Sequence, residues 1–329
     1  MDVMRPLIDL HCHLEGTLQP PLLRTLAARN AVPVPDDLIG PDDLYRWHGF
    51  GGFLDAYDRV ASAIRTARDY RDVTFDHFAR AAALGQIYGE VFVSPDHAAL
   101  AGLNYVDLID GVSQGLKDAE AIHGICGRII TTCVRHLGPE RALEIARMTI
   151  ANPHPMVVGF GMGGDERYGD MSDYAPAYDL ARSAGLGLTV HAGEVCGPES
   201  VEAALDHLRP DRIGHGVQAV GAPDLLIRLA REEVTLEVCP GSNLALGLFT
   251  SYDTHAFGAL HTAGCRLALG ADDPPFFQTD IGREYAETSR AWGLNSAALD
   301  NLTHEALTAG FCDEATKTRL RRRIADALD

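Results

Sequence analysis

Leu7-Ile8-Asp9-Leu10-His11-Cys12-His13 is the stretch that decides the fold. It is apolar almost throughout and ends in an H-x-H pair. A strand covered on both faces reads this way, because neither face is left to water. Side chains alternate between the faces of a strand, so His11 and His13 share one face and Cys12 takes the other. Two imidazoles on one face form a pair of metal ligands. Alone, such a pair is more often two ordinary core or surface histidines. Its weight comes from its place, at the C-terminal end of the run.

Seven further runs of the same kind follow: Gly89–Ser94, Gly127–Val134, Met156–Gly161, Gly187–His191, Arg212–His215, Thr235–Val238 and Arg266–Asp272. Amphipathic helical patterns lie between them, over Asp76–Leu84, Tyr105–Ala121, Pro139–Ala151, Tyr174–Ala184, Glu199–Leu208, Pro223–Glu232 and Thr254–Ala263. Strands alternating with helices predict a parallel sheet, and eight strands suffice to close it. The expected fold is α/β, a TIM-type (β/α)8 barrel spanning residues 1–329 as a single domain. Pro35–Arg68 interrupts the rhythm after the first strand with an aromatic helix around Phe53, Leu54 and Tyr57, and predicts a helical lid. Ser289–Asp329 predicts two or three extra C-terminal helices on the outside.

In such barrels the strands deliver their last residues to one mouth. Here they deliver His11 and His13, then His191 with Glu194, then His215, then Asp272 with Asp273. Three imidazoles (His11, His13, His191) and the carboxylate of Asp272 suit Zn2+ or another borderline divalent ion. Asp272 and Asp273 point to opposite sides, so one can reach the metal while the other reaches a ligand or orients His215. Read alone, Asp-Asp-Pro is an ordinary turn. Glu194 follows His191 through a small Ala-Gly bend. A carboxyl beside a metal and an apolar lid can keep its proton and act as a general acid; otherwise it is a common helix-start acid. His215, between two glycines, can approach the attacking water closely, or simply cap a strand. The two lysines, Lys117 and Lys317, both fall in helical stretches, and no bridging lysine stands on the fourth strand, so one zinc per chain is expected rather than two.

The 329 residues carry a net charge of −18 and are 46% hydrophobic. The pI is about 5.1 and the mean hydropathy is near zero. So acidic a chain argues against nucleic acid and membrane surfaces as partners and favours a small neutral or cationic ligand. Its seven cysteines include no C-x-x-C pair, which reads as reduced thiols in a cytoplasmic protein. Met1–Leu10 lacks a leader pattern, and no apolar run is long enough to span a bilayer. The oligomeric state is left open.

Taken together, LHCHLEGTLQP (Leu10–Pro20), VVGFGMGGDE (Val157–Glu166), TVHAGE (Thr189–Glu194), RIGHG (Arg212–Gly216), LEVCPGSN (Leu236–Asn243) and LGADDPPFF (Leu269–Phe277) resemble the adenosine and adenine deaminase family, in family order. FLDAYDRV (Phe53–Val60) and EVFVSPDHA (Glu90–Ala98) extend the likeness over nearly the whole chain. The resemblance implies a (β/α)8 barrel with zinc on His11, His13, His191 and Asp272. His215 would orient and help deprotonate water. Glu194 would protonate purine N1, Asp273 would face N7, and the Gly164 amide N3. Phe50, Phe53, Leu54 and Tyr57 would form an apolar gate, with His13 and Glu15 also on the substrate side. Two departures from the pattern stand out, at Glu15 and at the glycine pair Gly161 and Gly163. Glu15 stands where many adenosine deaminases have Asp toward the ribose 5′-hydroxyl. Gly161 and Gly163 replace Asp and Ala of GxDLAGDE. The expected reaction is hydrolytic deamination of adenosine or 2′-deoxyadenosine. Adenine, or a modified nucleoside such as 6-aminodeoxyfutalosine, is the runner-up. The absence of a basic cluster argues against nucleotides. Rival classes are a two-metal hydrolase of amides or phosphoesters and a non-catalytic purine-binding protein.

Overall fold

β1 (Leu7–His13) is both the first strand and one side of the seam that closes an eight-stranded barrel. A computed structural model describes residues 5–328; residues 1–4 and 329, at the two ends of the expected domain, lie outside it. The other strands are β2 (Gln86–Val93), β3 (Cys126–Val134), β4 (Val157–Gly163), β5 (Gly187–Ala192), β6 (Arg212–His215), β7 (Thr235–Val238) and β8 (Arg266–Leu269). They follow one another in sequence order, every adjacent pair parallel. Helices between successive strands cover the outside, and the chain has the expected TIM-type fold. The seam forms just beyond the last strand. Asp272 N–H donates to His11 O (2.8 Å), and His13 N–H to Asp272 O (3.0 Å).

Several boundaries move, each for a local reason. β2 starts at Gln86 rather than Gly89, because Leu7 of β1 pairs with Gln86. β4 runs to Gly163, since Val134 of β3 pairs with it. β8 stops at Leu269, short of the expected Asp272, whose backbone turns into the left-handed region at φ 60°. The helical pattern over Asp76–Leu84 is the second half of a longer helix, Ala67–Ala83, begun by a Thr66/Asp69 capping box. The stretch Thr254–Ala263 divides into a 3-10 turn, Tyr252–Thr254, and a short helix, Phe257–Thr262. Pro20–Asn30 is a helix that the sequence reading left out.

The insertion forms the helix Gly49–Ala61, lying over the barrel mouth. Ser296–Ala309 packs outside β8 and β1 as an external helix should, and Glu314–Leu328 follows it. The turn between them is not external: Phe311 lies against Gly159 of β4 and Gly187 of β5 at the floor of the barrel. No helix among the described residues is long and apolar enough to cross a membrane.

Candidate active site

At the end of β1, the His11 side chain is wholly buried in the barrel. Its Nδ1–H donates to Glu237 Oε2 (2.7 Å), leaving Nε2 without a hydrogen-bond partner. His191, at the end of β5, donates Nδ1–H to Met162 O (2.9 Å) and also presents Nε2 inward. That Nε2 lies 3.0 Å from His13 Nε2. Asp272 Oδ1 is 3.6 Å from His11 Nε2 and 3.4 Å from His13 Nε2. One ligand atom from each of His11, His13, His191 and Asp272 falls within 4.8 Å of every other.

The electrostatics suit a cation. Burial, then the charge on His11, pulls His191 down to about 4, so it stays neutral with a free lone pair. Burial and His191 likewise hold His13 well below its usual value. Burial opposes charge on His11, but the carboxylates of Asp272 and Glu237 beside it outweigh that and lift the imidazole to about 10, so its Nε2 is a basic nitrogen that a cation would claim in place of a proton. Burial works against charge on Asp272 too, yet His11 and the other imidazoles beside it keep it ionised. An orphaned buried nitrogen, lone pairs facing one another and one carboxylate fit a divalent ion. A second group of His11, His215, Cys239 and Asp272 overlaps the first.

His215 ends β6 in the left-handed region (φ 62°), as Asp272 does (φ 60°). Two non-glycine residues so placed mark a strained site held by its surroundings. A Cβ on Gly214 would come 2.8 Å from His11 Cε1, which explains the glycine before His215. His215 Nε2 is 3.7 Å from Glu194 Oε1. Burial, then the charges of Asp272 and Glu166, raises the Glu194 carboxyl well above its usual range, so it keeps its proton at neutral pH. Burial and Asp272 do the same for Asp273, whose Oδ1 has no partner.

His13, His191, Glu194, His215, Asp272, Asp273, Glu15, Gly164, Phe53 and Leu54 all line one cavity of about 80 Å³, with His11 beneath it. Every residue singled out in the sequence is therefore brought to one place. Glu15 is buried at one side of that cavity, accepting from Tyr57 OH (3.3 Å), Tyr70 OH (3.3 Å) and Ser94 N–H (3.1 Å). The lid is fixed by its aromatic rings. Phe53 packs on Phe276 and Phe277, and Trp47 Nε1–H donates to Phe276 O (3.2 Å), just after Asp273 in the chain.

The family model described as adenosine deaminase matches residues 6–327. The chain belongs to the adenosine deaminase family. A curated adenine deaminase from Chelativorans sp. (strain BNC1) is 46% identical over 321 residues, 98% of each chain. The solved adenine deaminase from Arthrobacter aurescens superposes with a TM-score of 0.91 at 28% identity, covering 98% of this chain and 99% of that one. An amidohydrolase from Burkholderia ambifaria, solved with bound Zn, gives 0.89 at 25% identity, covering 98% and 90%. This deaminase is accordingly a hydrolase that removes an amine with water.

Sequence reasoning passed over two acids of the deaminase site. Glu166 accepts the backbone N–H groups of Gly193, Glu194, Val195 and Cys196 and the hydroxyl of Ser200, clamping the loop that carries Glu194. Glu237 holds His11. Both stand inside the quoted motifs. The available signal was a carboxylate inside a segment that patterning marks as buried, where an acid needs several donors.

Proposed function

We propose that the chain deaminates free adenine, taking up water and releasing ammonia and hypoxanthine. The observation that carries this reading is the small cavity, about 80 Å³, walled by Glu15 beneath Tyr57 and Tyr70. Sites for drug-sized ligands run roughly 300–1,000 Å³. A bare purine suits such a space better than one carrying a sugar, and the full-length relatives named adenine deaminase support the base over the nucleoside that sequence alone favours. Residues 1–329 act as one catalytic unit, a cytoplasmic protein whose partner is the small purine rather than nucleic acid or membrane.

His11, His13, His191 and Asp272 would hold one Zn2+. Bound there, the ion would acidify a water molecule and so supply the nucleophile for C6. Glu194, kept protonated by burial, hydrogen-bonds ring N1 and transfers its proton there as C6 becomes tetrahedral. His215 orients the attacking water and takes up one of its protons, which leaves with the departing amine as ammonia; the proton left on the C6 hydroxyl returns to Glu194 as the 6-oxo group forms. Asp273, also protonated, donates to N7, while the Gly164 backbone meets N3. Phe53 and Leu54 shield the ring from solvent, and His13 and Glu15 bound the far side of the pocket. Holding ring and water together supplies much of the rate.

Ammonia release with adenine, adenosine, 2′-deoxyadenosine and 6-aminodeoxyfutalosine tests the proposal. Adenine should give the highest kcat/KM. A preference for adenosine would restore the nucleoside reading. Silence toward all four would reject the reaction, and binding without ammonia release would make the chain a purine-binding protein. Two bound metals per chain would favour the amide or phosphoester rival.

A further inference from the structure

Below the cavity, the barrel interior holds an ionic assembly that the reaction does not use. Arg212 of β6 is 1% exposed. Its Nη2 is 2.8 Å from Glu90 Oε2 of β2, and its Nε donates to Glu237 Oε1 of β7. Its Nη1 donates to Ala309 O (3.0 Å), where the helix Ser296–Ala309 ends. Two residues on, the Phe311 ring covers the guanidinium, 3.6 Å from carbon to ring centroid, and Phe311 N–H donates to Glu90 Oε1 (2.6 Å). The ring can enter only because two strand positions lack side chains. A Cβ on Gly187 would sit 2.3 Å from Phe311 Cδ1, and one on Gly159 2.9 Å from Cδ2. The other oxygen of Glu237 accepts Nδ1–H of His11 (2.7 Å).

We propose that Phe311, Arg212 and Glu237 are positioning residues for the metal centre, a column through which the C-terminal turn fixes the orientation of His11. The reasoning is geometric. An imidazole ligand is useful only if its other nitrogen is tied, since that bond sets both the tautomer and the ring plane. Glu237 provides the tie, but a carboxylate has freedom of its own. Arg212 removes it by holding the opposite oxygen, alongside the Thr189 hydroxyl, which is 3.1 Å from both oxygens. Arg212, in turn, is fixed by Glu90, by a backbone carbonyl of the tail and by the face of an aromatic ring, a favourable contact for a guanidinium. Without Phe311, water would reach the guanidinium from the floor and loosen both carboxylates.

The inference rests on the proposed metal centre and not on which purine is the substrate. The test uses the full chain, stripped with a chelator and titrated with zinc against a coloured competitor. Glu237→Gln should weaken zinc binding about ten- to a hundredfold, the usual effect of losing a partner of a metal-bound histidine. Phe311→Ala should weaken it about threefold or more, a modest coupling at a distance, and Phe311→Leu, which refills most of the space, should recover the loss. Cobalt in place of zinc should show an altered visible spectrum in E237Q, because the His11 ring is no longer held. Unchanged zinc affinity in both E237Q and F311A overturns the proposal. So does F311A melting equally lower in its stripped and loaded forms with its affinity intact, the mark of a purely structural plug. If F311A does not fold, the affinity and cobalt spectrum of E237Q decide. A parent chain that binds no zinc overturns the metal centre and the column together, whereas zinc binding without deamination leaves the column testable.

Discussion

Replacing Glu194 by Gln keeps the shape of the side chain and removes a carboxyl that burial holds protonated. Zinc content should stay, and turnover should fall about a hundredfold or more, the range of a lost general acid. Turnover near that of the parent chain would take Glu194 out of that role. Asp273→Ala should raise KM for the purine with zinc retained, since Asp273 Oδ1 lines the cavity without a protein partner; a loss of metal instead would place Asp273 among the ligands. The groups that face the cavity were legible in the sequence because a strand shows its pattern within a few residues: His11, His13, His191 and His215 stand where short apolar runs end. Glu237 was not legible in that way. It meets His11 across 226 residues of chain, and no local pattern carries that information.

Among the elements, the loop after β5 owes its shape to one side chain from the loop after β4. Glu166 accepts four consecutive backbone N–H groups and a hydroxyl, all directed at two oxygens. In Glu166→Gln an amide NH2 would face those same donors. The loop should shift, turnover should drop about ten- to a hundredfold through misplacement of Glu194, and zinc should remain bound. Unaltered kcat would show that the loop holds its form unaided. Strand order and lid position were legible at this scale, as periodicity and a Pro- and Gly-marked break. The strand ends were less so. β8 stops at Leu269 because the backbone turns left-handed at Asp272, the proposed ligand, a demand of the site rather than of the strand. The Phe311 turn read as external because two helices flank it; its insertion depends on Gly159 and Gly187, more than a hundred residues earlier.

For the whole molecule, pH should act on stability through Glu284. This buried acid accepts from Gly241 N–H (3.1 Å), from Tyr252 OH (3.3 Å) and from Thr279, tying the helix Ile281–Trp292 to the loop after β7. Burial raises it from 4.5 to about 7, against the pull of those hydrogen bonds. Between those two values the folded chain keeps a proton that the unfolded chain has released. Stability from this group is therefore full below about pH 4.5 and is lost as pH rises through about 7, with a ceiling of roughly 3 kcal/mol. The melting temperature of Glu284→Gln relative to the parent should climb from about pH 5 to about pH 8; a constant difference would dismiss the effect. Chelation should lower the melting temperature at neutral and higher pH, where the imidazole ligands are free of protons, and zinc should restore it, as for any ligand bound only by the native state. Equal melting with and without zinc would exclude a cation from the folded centre. The seam makes that link unusually direct, since the amides and carbonyls of His11, His13 and Asp272 join the two ends of the sheet. During synthesis, a polypeptide that has not yet delivered residues 266–272 has neither a completed ring nor the carboxylate proposed to hold the ion. A zinc held in part by Asp272 would therefore load only once residue 272 has been made, and a product terminated before that point would lack the proposed centre.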